Sequence, residues 1–469
     1  MKKSDSINHW YGFLSIGVGF AMVYLDQTAL NVALPTIKRS LGANETQLFW
    51  VVNAYLLALA ICSLGAGRIG DIMGLRRVFL TGLGIFLASS VGCALALTPG
   101  VLILFRVFQG IGGAVIPVVA AASIFHIFPE GKRGKPMGVI GFMASSMVLV
   151  GPIMGGLFTT YGSWRWIFWI NPIIGGFSFT LVYFLLKEID EDRDRKAKFD
   201  FKGQFLFLGF LVPLIIALMQ GENWGWGSSL VILLLSVGLI FLPLFVWFEK
   251  KSKNPLFDFK LLKNRNFSIS CVLMFCLQFS FLASVFVALY LIRSLGKTPF
   301  MAGLCLMPIA ILSGLTNLIA GHLTDKIGYR KQIQIGLCGS IIAFTLMSVT
   351  AHTMNYFWLF IALCINGVSM PLAFMPGYSM IIHSTPKHQQ GMASGMASTL
   401  RQVGASISMS VLGVIIIVFQ KQSYKGVSDA LKYATGFSSA MACVAIILAC
   451  ALVASIWVSK REVSYTTAE

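Results

Sequence analysis

The chain has 469 residues, of which 57% are hydrophobic and only 12% are charged. A soluble protein typically carries about 25% charged residues, so this composition excludes a soluble globular protein. The apolar runs are long and continuous, unlike the short alternating segments of a β-barrel, and they predict an all-α polytopic membrane protein. A formal net charge of +18 would suggest nucleic-acid binding in a soluble protein. Here we attribute the charge to basic cytoplasmic loops, and no nucleic-acid partner is predicted.

Fourteen apolar spans follow one another along the chain, and the first is predicted to be a helix that is not removed as a signal peptide. Most of the 36 lysines and arginines fall in alternate connections, on the side that also holds the N-terminus. The positive-inside rule therefore predicts a multi-pass protein of the cell (inner) membrane with both termini cytoplasmic. The predicted spans lie near residues 11–34, 48–66, 78–97, 100–122, 136–159, 165–186, 203–220, 228–248, 267–291, 300–320, 332–351, 355–382, 394–419 and 434–458.

A carboxylate, Asp26, lies well inside the first span. Such a group costs roughly 2.5–3.5 kcal/mol on insertion scales, and a chain that keeps one usually uses it for ion, proton or substrate chemistry. Arg106 lies near the start of the fourth span, which runs in the opposite direction, so the two residues reach a similar depth. We predict that they pair and that Asp26 and Arg106 carry proton coupling. The alternative is a static structural pair. No other acid is expected deep in the membrane.

An internal repeat occurs at residues 67–77 and again at 321–331, after the second and the tenth spans. Glycine, aspartate, glycine and basic residues occupy matching positions in the two loops. The repeat predicts two related halves of six helices, a layout typical of secondary transporters. The predicted domains are an N-terminal six-helix bundle (1–186), cytoplasmic linkers with inserted helices seven and eight (187–266), and a C-terminal six-helix bundle with a short tail (267–469).

Several stretches together resemble one family. The repeated loop, G-x-x-x-D-x-x-G-x-R-R in its first copy, is similar to the cytoplasmic signature of the major facilitator superfamily. Segments 106–113 and 151–156 look like its second signature and its antiporter signature. Four further segments resemble its fourteen-helix drug:proton antiporter branch, which is the multidrug efflux branch. These segments are 25–35, 50–55, 163–168 and 391–404. The resemblance implies two six-helix halves plus two inserted helices, and an antiporter that exports amphipathic drugs or toxic compounds by alternating access. Its energy source would be the proton gradient, without a cofactor.

The loop and antiporter motifs carry further expectations. In the family, the loops are thought to act as a conformational latch; the alternative is that they only fix topology and loop shape. Physically, Asp71 can pair with the neighbouring arginines or cap the N-terminus of a nearby helix. The antiporter stretch, Gly151, Pro152, Gly155 and Gly156, is expected to bend its helix and to allow close packing; the alternative is an ordinary kinked helix. The latch residues are predicted to be Gly67, Asp71, Gly74, Arg76, Arg77, Asp325 and Arg330.

Substrate contacts are expected from polar, aromatic and methionine side chains in the spans that would line a cavity. For Arg401, the alternative to contacting an anionic group of the substrate is a structural role, in which it bonds backbone carbonyls or reaches the membrane surface. Because buried acids are few, we expect amphipathic substrates that are neutral, zwitterionic or anionic. The predicted substrate-binding residues are Asp26, Tyr55, Gln109, Met143, Phe168, Gln278, Phe281, Asn366 and Arg401.

Other functions remain as alternatives. Within transport, the protein would be an exporter or flippase for a specific lipid, lipophilic acid or metabolite. An enzyme is not predicted, because the six histidines form no ligand-spaced cluster with cysteine or carboxylate, and no metal site is predicted. Nothing resembles the selectivity filter of a channel. A non-transporting sensor stays open. Members of the resembled family that dock to periplasmic adaptors tend to lack the acid of the first loop, whereas Asp71 is present here. The resemblance therefore implies a monomeric, single-component transporter whose partners are small molecules, protons and membrane lipids.

Overall fold

The computed structural model describes residues 3–129, 133–186, 199–252, 255–386, 389–422 and 428–458, and no β-strand occurs in these ranges. Short 3-10 helices lie at Leu261–Lys263 and Ala351–Thr353. The α-helices are α1 (Lys3–Leu41), α2 (Glu45–Met73), α3 (Leu75–Ala94), α4 (Pro99–Ile127), α5 (Gly134–Tyr161), α6 (Trp166–Leu185), α7 (Phe201–Trp224), α8 (Ser229–Lys251), α9 (Arg265–Arg293), α10 (Pro299–Cys305), α11 (Met307–Ile327), α12 (Tyr329–Thr350), α13 (Tyr356–His383), α14 (Gln390–Gln422) and α15 (Asp429–Ser455).

Fourteen spans among the described residues are long and apolar enough to cross a membrane. They correspond to the fourteen predicted from hydropathy. The tenth, Met301–Thr324, runs through α10 and α11, which are separated only at Leu306. Helices are the expected solution, because a backbone in hydrocarbon must satisfy its own hydrogen bonds.

Helix boundaries follow local chemistry. At the start of α2, Asn44 and Gln47 form a capping box, and Thr98 caps α4 just before a proline. The turns of the two repeated loops are single glycines. Gly74 separates α2 from α3 with φ +92°, and Gly328 separates α11 from α12 with φ +78°. Only glycine adopts this backbone region without strain, so the glycine repeat in the sequence marks a repeated sharp turn.

By contacts, the chain divides into two units, and α14 begins in the first and continues in the second. Unit 1 comprises Met1–Val212, Leu239–Phe259 and Thr385–Thr399; unit 2 comprises Pro213–Gly238, Lys260–Ser384 and Leu400–Glu469. Within unit 1, α4 packs on α2 and α3, and α1 packs on α5 and α6. Within unit 2, α12 packs on α13 and α15. The predicted domain boundaries stay a prediction, and residues 187–198 of the predicted linker lie outside the described residues.

The antiporter stretch lies in α5, which continues through Pro152 to Tyr161. A Cβ atom at Gly151 would collide with the side chain of Thr28 on α1, and one at Gly155 would collide with the carbonyl oxygen of Ala29. These two glycines therefore let α5 lie directly on α1. Gly156 differs from the expectation, because a Cβ there would meet none of the described atoms within 4 Å. It lies one residue further around the helix and faces away from α1.

Candidate functional site

A buried ion pair joins α1 and α4 inside unit 1. Arg106 Nη1 donates to Asp26 Oδ2 at 2.6 Å, and each residue is 1% exposed. The pairing predicted from the depths of the two spans is therefore present. An isolated charge in such a place would be neutralised or paired, and a bare pair still loses much of its hydration. The remaining polar atoms must therefore find partners within the protein.

Amide and hydroxyl side chains supply those partners. Gln109 Nε2 donates to Asp26 Oδ1 at 3.0 Å, and Asn171 Nδ2, on α6, donates to the same oxygen at 2.8 Å. Gln109 Oε1 in turn accepts from Arg106 Nη1 at 2.8 Å. Ser90 Oγ, on α3, accepts from Asn171 at 2.8 Å and from Gln109 at 3.3 Å, and donates to the carbonyl oxygen of Phe168. We call Asp26, Arg106, Gln109, Asn171 and Ser90 the Asp26 cluster.

Aromatic rings and backbone enclose the arginine. The guanidinium carbon of Arg106 lies 4.1 Å from the ring centroid of Tyr55 and 5.9 Å from that of Phe168. Arg106 Nε donates to the carbonyl oxygen of Val51 at 3.1 Å, and Gln27 Nε2 approaches the Tyr55 hydroxyl at 3.4 Å. A ring face attracts a desolvated cation, so this environment holds the arginine as a charge. It also excludes bulk water from the pair.

Two members of the Asp26 cluster were missed in the sequence. Asn171 and Ser90 were not predicted as site residues, although both are completely buried. Asn171 was detectable, because a side-chain amide is costly in an otherwise apolar span unless it is bonded. Ser90 carried no such signal, since serine is common at helix contacts in membranes.

The predicted substrate residues of unit 1 fall into two groups. Tyr55, Gln109 and Phe168 are fully buried around the ion pair and bond or stack within it. Met143, on α5, is only partly buried, and its sulfur packs beside Gly17 on α1, 2.9 Å from where a Cβ would stand. The first three are therefore placed to hold the charged pair in its present arrangement.

In unit 2, the predicted residues have separate surroundings. Asn366 is 2% exposed, and its Oδ1 accepts from Ser280 Oγ at 3.3 Å. Gln278 is 5% exposed and packs beside Gly404, whereas Phe281 is 43% exposed. Arg401 is partly buried and engaged in an interaction. Their role in substrate binding stays a prediction.

The loop aspartate caps a helix. Asp71 Oδ1 accepts from the backbone nitrogen of Gly391 at 2.8 Å, and Oδ2 accepts from that of Met392 at 2.9 Å. Both amides belong to the first turn of α14, where the helix dipole favours a negative charge. A Cβ at Gly67 would collide with the carbonyl oxygen of Gly391, so glycine is needed for this close approach. Of the two arrangements expected for Asp71, the helix cap is thus present.

The other loop residues have different surroundings. Arg76 donates through Nη2 to the carbonyl oxygen of Tyr183 near the end of α6, and its guanidinium lies over the Tyr183 ring. Arg77 is exposed, and Arg330 of the second loop is partly buried. The side chain of Asp325 lies outside the described residues, so its predicted latch role stays a prediction.

Burial of acids extends beyond Asp26. Among the described side chains, Asp26, Asp71 and Glu249 are all buried, at 1%, 7% and 2% exposure. Glu249, near the end of α8, accepts from the backbone nitrogen of Phe257 at 3.1 Å. The segment at Phe257 returns to cover Glu249. Glu249 lies just beyond the predicted eighth span (228–248), so its burial does not test the expectation that no other acid lies deep in the membrane.

Sequence comparison decides the family. A family model described as Major Facilitator Superfamily matches residues 16–409, most of the chain. The chain belongs to the major facilitator superfamily. This facilitator is therefore a transporter and a multi-pass membrane protein, and the predictions of the family, of the fold and of a non-enzymatic function are confirmed.

Known relatives and structures agree with this assignment. Multidrug resistance protein Stp of Mycobacterium tuberculosis is 31% identical over 406 residues, which cover 86% of this chain and 75% of that protein. The tetracenomycin C resistance and export protein of Streptomyces glaucescens is 28% identical, covering 87% of this chain and 76% of that protein. The crystal structure of the human organic anion transporter MFSD10 superimposes with a TM-score of 0.68 and 14% identity, covering 95% and 99% of the two chains. At that identity the structural likeness supports the fold alone.

Proposed function

We propose that this facilitator is a proton-coupled exporter that exchanges protons for amphipathic drugs or toxic compounds. The observation that carries the proposal is the Asp26 cluster, an ionisable carboxylate held inside unit 1 by side chains instead of backbone. Side-chain partners can exchange when a proton arrives, without the helix itself unfolding. The multidrug-resistance and antibiotic-export names of its relatives support the substrate class.

In the proposed cycle, Asp26 alternates between two states. Ionised, it pairs with Arg106 and accepts bonds from Gln109 and Asn171. A proton from the outer aqueous phase neutralises Asp26 and weakens its attraction to Arg106. Release of that proton to the cytoplasm restores the full attraction between the two charges. Substrate and proton bind in turn, each when the site is open to the opposite side of the membrane. The proton gradient therefore drives export.

The Asp71 cap is proposed to act as the latch. It fixes the first turn of α14 to α2, and α14 continues into unit 2. Two further bonds lie along the same contact in unit 1, from Ser394 Oγ to Val118 O at 3.0 Å and from Ser398 Oγ to Ser63 Oγ at 3.1 Å. Breaking the cap is proposed to accompany the change of access, because an interface held by a few discrete bonds is bistable.

We further propose that the protein lies in the cell membrane with both termini cytoplasmic, and that it works as a monomer without an accessory protein. The distribution of basic residues supports this orientation. Neutral, zwitterionic or anionic amphipathic substrates are favoured, because the one acid of the Asp26 cluster is already matched by Arg106.

The test measures substrate-dependent proton movement in proteoliposomes. Ethidium, chloramphenicol and fusidic acid serve as cationic, neutral and anionic probes, and a fluorescent phospholipid tests the flippase alternative. We expect at least one drug probe to move protons in the wild type, and Asp26→Asn to lower the coupled rate at least tenfold. Asp429→Asn is the matched control, because this carboxylate is 95% exposed. Full coupled transport by Asp26→Asn would overturn the carrier role, and movement of phospholipid alone would favour the flippase.

A further inference from the structure

The partners of Asp26 differ in what they offer to each protonation state. An ionised carboxylate only accepts hydrogen bonds, whereas a protonated carboxyl also donates one through its hydroxyl. Three donors reach Asp26 now, from Arg106, Gln109 and Asn171. This set suits the ionised state. The protonated state needs an acceptor, and leaving a buried hydroxyl without one is costly.

Most acceptors of the Asp26 cluster are already occupied. Arg106 has none. Gln109 Oε1 accepts from Arg106 and lies 3.8 Å from the sulfur of Cys93. Ser90 Oγ accepts from both amides and donates to Phe168 O, so its capacity is used. Asn171 Oδ1 is the exception within the cluster, since it is buried and has no hydrogen-bond partner among the described residues.

The amide of Asn171 places this acceptor within reach. Its Nδ2 lies 2.8 Å from Asp26 Oδ1 and 2.8 Å from Ser90 Oγ. Rotation of the amide by half a turn about its terminal bond exchanges the positions of Nδ2 and Oδ1. Oδ1 would then face both Asp26 and Ser90, and the Ser90 hydroxyl would turn from Phe168 O to donate to it. Because planar amides present a donor and an acceptor with nearly the same shape, this exchange requires no movement of α6.

We propose that Asn171 is a positioning residue for proton exchange, whose amide donates to the ionised carboxylate of Asp26 and, after rotation, accepts from its protonated form. The inference rests on the proposed proton coupling at Asp26. In this step a water-borne proton forms an O–H bond with Asp26 Oδ1, and the hydroxyl donates to Asn171 Oδ1. Gln109 Nε2 keeps its bond to the same oxygen, and Arg106 keeps its bond to Oδ2. Deprotonation to water on the other side reverses the step.

Other charged or titratable groups near Asp26 cannot replace the amide. Those that face it are Arg106 on α4, Tyr55 on α2 and Cys93 on α3. Tyr55 covers the arginine with its ring, and Cys93 contacts Gln109. Among the described residues, none of the three offers Asp26 a hydrogen-bond acceptor in the present arrangement. Within the described residues, Asn171 is the polar partner with spare acceptor capacity.

Infrared titration of the purified protein tests the proposal without a substrate. The carboxyl C=O stretch of Asp26 is identified as the band that appears on acidification and is lost in Asp26→Asn. In Asn171→Leu, the hydroxyl loses its acceptor, so we expect this band to move to higher wavenumber, and proton-coupled efflux to fall about tenfold. Ser178→Ala is the control, because Ser178 is also buried on α6, two turns away, and bonds Ser15 O. It should leave the band unchanged.

The outcomes separate the two proposals. If Asp26→Asn removes no titrating band, proton coupling at Asp26 fails. If the band is present and has the same position in Asn171→Leu as in the wild type, only the role of Asn171 fails. Should Asn171→Leu not fold, wild-type protein with 13C-labelled asparagine side chains gives the same answer. A labelled amide band that shifts on acidification in the wild type, and does not shift in Asp26→Asn, supports the rotation. If no labelled amide band shifts on acidification, the proposed rotation is overturned.

Discussion

The cap at Asp71 allows a quantitative prediction. Replacing Asp71 by Asn keeps one oxygen acceptor but turns an NH2 group toward the second backbone N–H of α14. One hydrogen bond to a charged acceptor is lost, at about 1.5–3 kcal/mol, together with the interaction of that charge with the helix N-terminus. The bonded state of α14 should therefore lose about 2–4 kcal/mol. That free energy corresponds to a change of about 30- to 900-fold in a local opening equilibrium.

Hydrogen exchange by mass spectrometry reads this opening directly. Peptides that cover Gly391 and Met392 should exchange about 30- to 900-fold faster in Asp71→Asn, because their amide hydrogens are the ones bonded to the carboxylate. Asp429→Asn is the matched control. Asp429 also lies in the first turn of a helix, but its side chain is 95% exposed and pairs with Lys432 at 3.2 Å. There, exchange at the start of α15 should change by no more than about twofold.

Wild-type exchange rates at 390–393 in Asp71→Asn would refute the reasoning, because the cap would then contribute nothing to the position of α14. An equal acceleration in both variants would show that a charge at any helix start has this effect, independent of burial. Slower exchange in Asp71→Asn would contradict the sign of the argument.

Two further substitutions test packing and a covered acid. Gly155→Ala brings a Cβ onto the carbonyl oxygen of Ala29 and should cost about 1–3 kcal/mol, lowering the thermal unfolding midpoint in detergent; Gly156→Ala, which meets open space, should leave it nearly unchanged. A comparable loss in both alanine variants would contradict the α1–α5 packing. Glu249→Ala removes the acceptor of the Phe257 amide and should speed hydrogen exchange at 255–259 about tenfold. Glu249→Gln retains an oxygen and should behave like the wild type; equal exchange in Glu249→Ala and the wild type would show that the bond does not hold the segment.

The fold was largely predictable, because hydropathy records a span without needing its neighbours. The fourteen spans and the loop repeat depend on local composition, and Gly74 and Gly328 both mark turns of positive φ. The Asp26–Arg106 pair was also accessible, since depth follows from the position in a span and a buried charge needs a partner.

The composition of the site was harder to predict, because depth does not give rotation. Whether Asn171 faces lipid, a neighbouring helix or Asp26 depends on how α6 is turned, and an apolar helix has no polar face to reveal this. Gln109 was expected to touch substrate, but it lies one turn from Arg106 on α4 and bonds the ion pair. The burial of Glu249 was not predicted for a related reason, since the return of the segment at Phe257 is a tertiary event.

The buried carboxylates Asp26 on α1 and Asp71 on α2 are held in different ways, and this difference separates their proposed roles. Among the described residues, the partners of Asp26 are side chains, and one of them, Asn171, has an unoccupied acceptor. In the proposed step, rotation of that amide gives the protonated carboxyl an acceptor. Asp71 accepts from two backbone amides, and a backbone N–H can only donate a hydrogen bond and cannot become an acceptor. A change at Asp71 must therefore move or fray the first turn of α14. Asp26 is suited to exchange protons without backbone movement, and Asp71 to resist movement until its cap breaks.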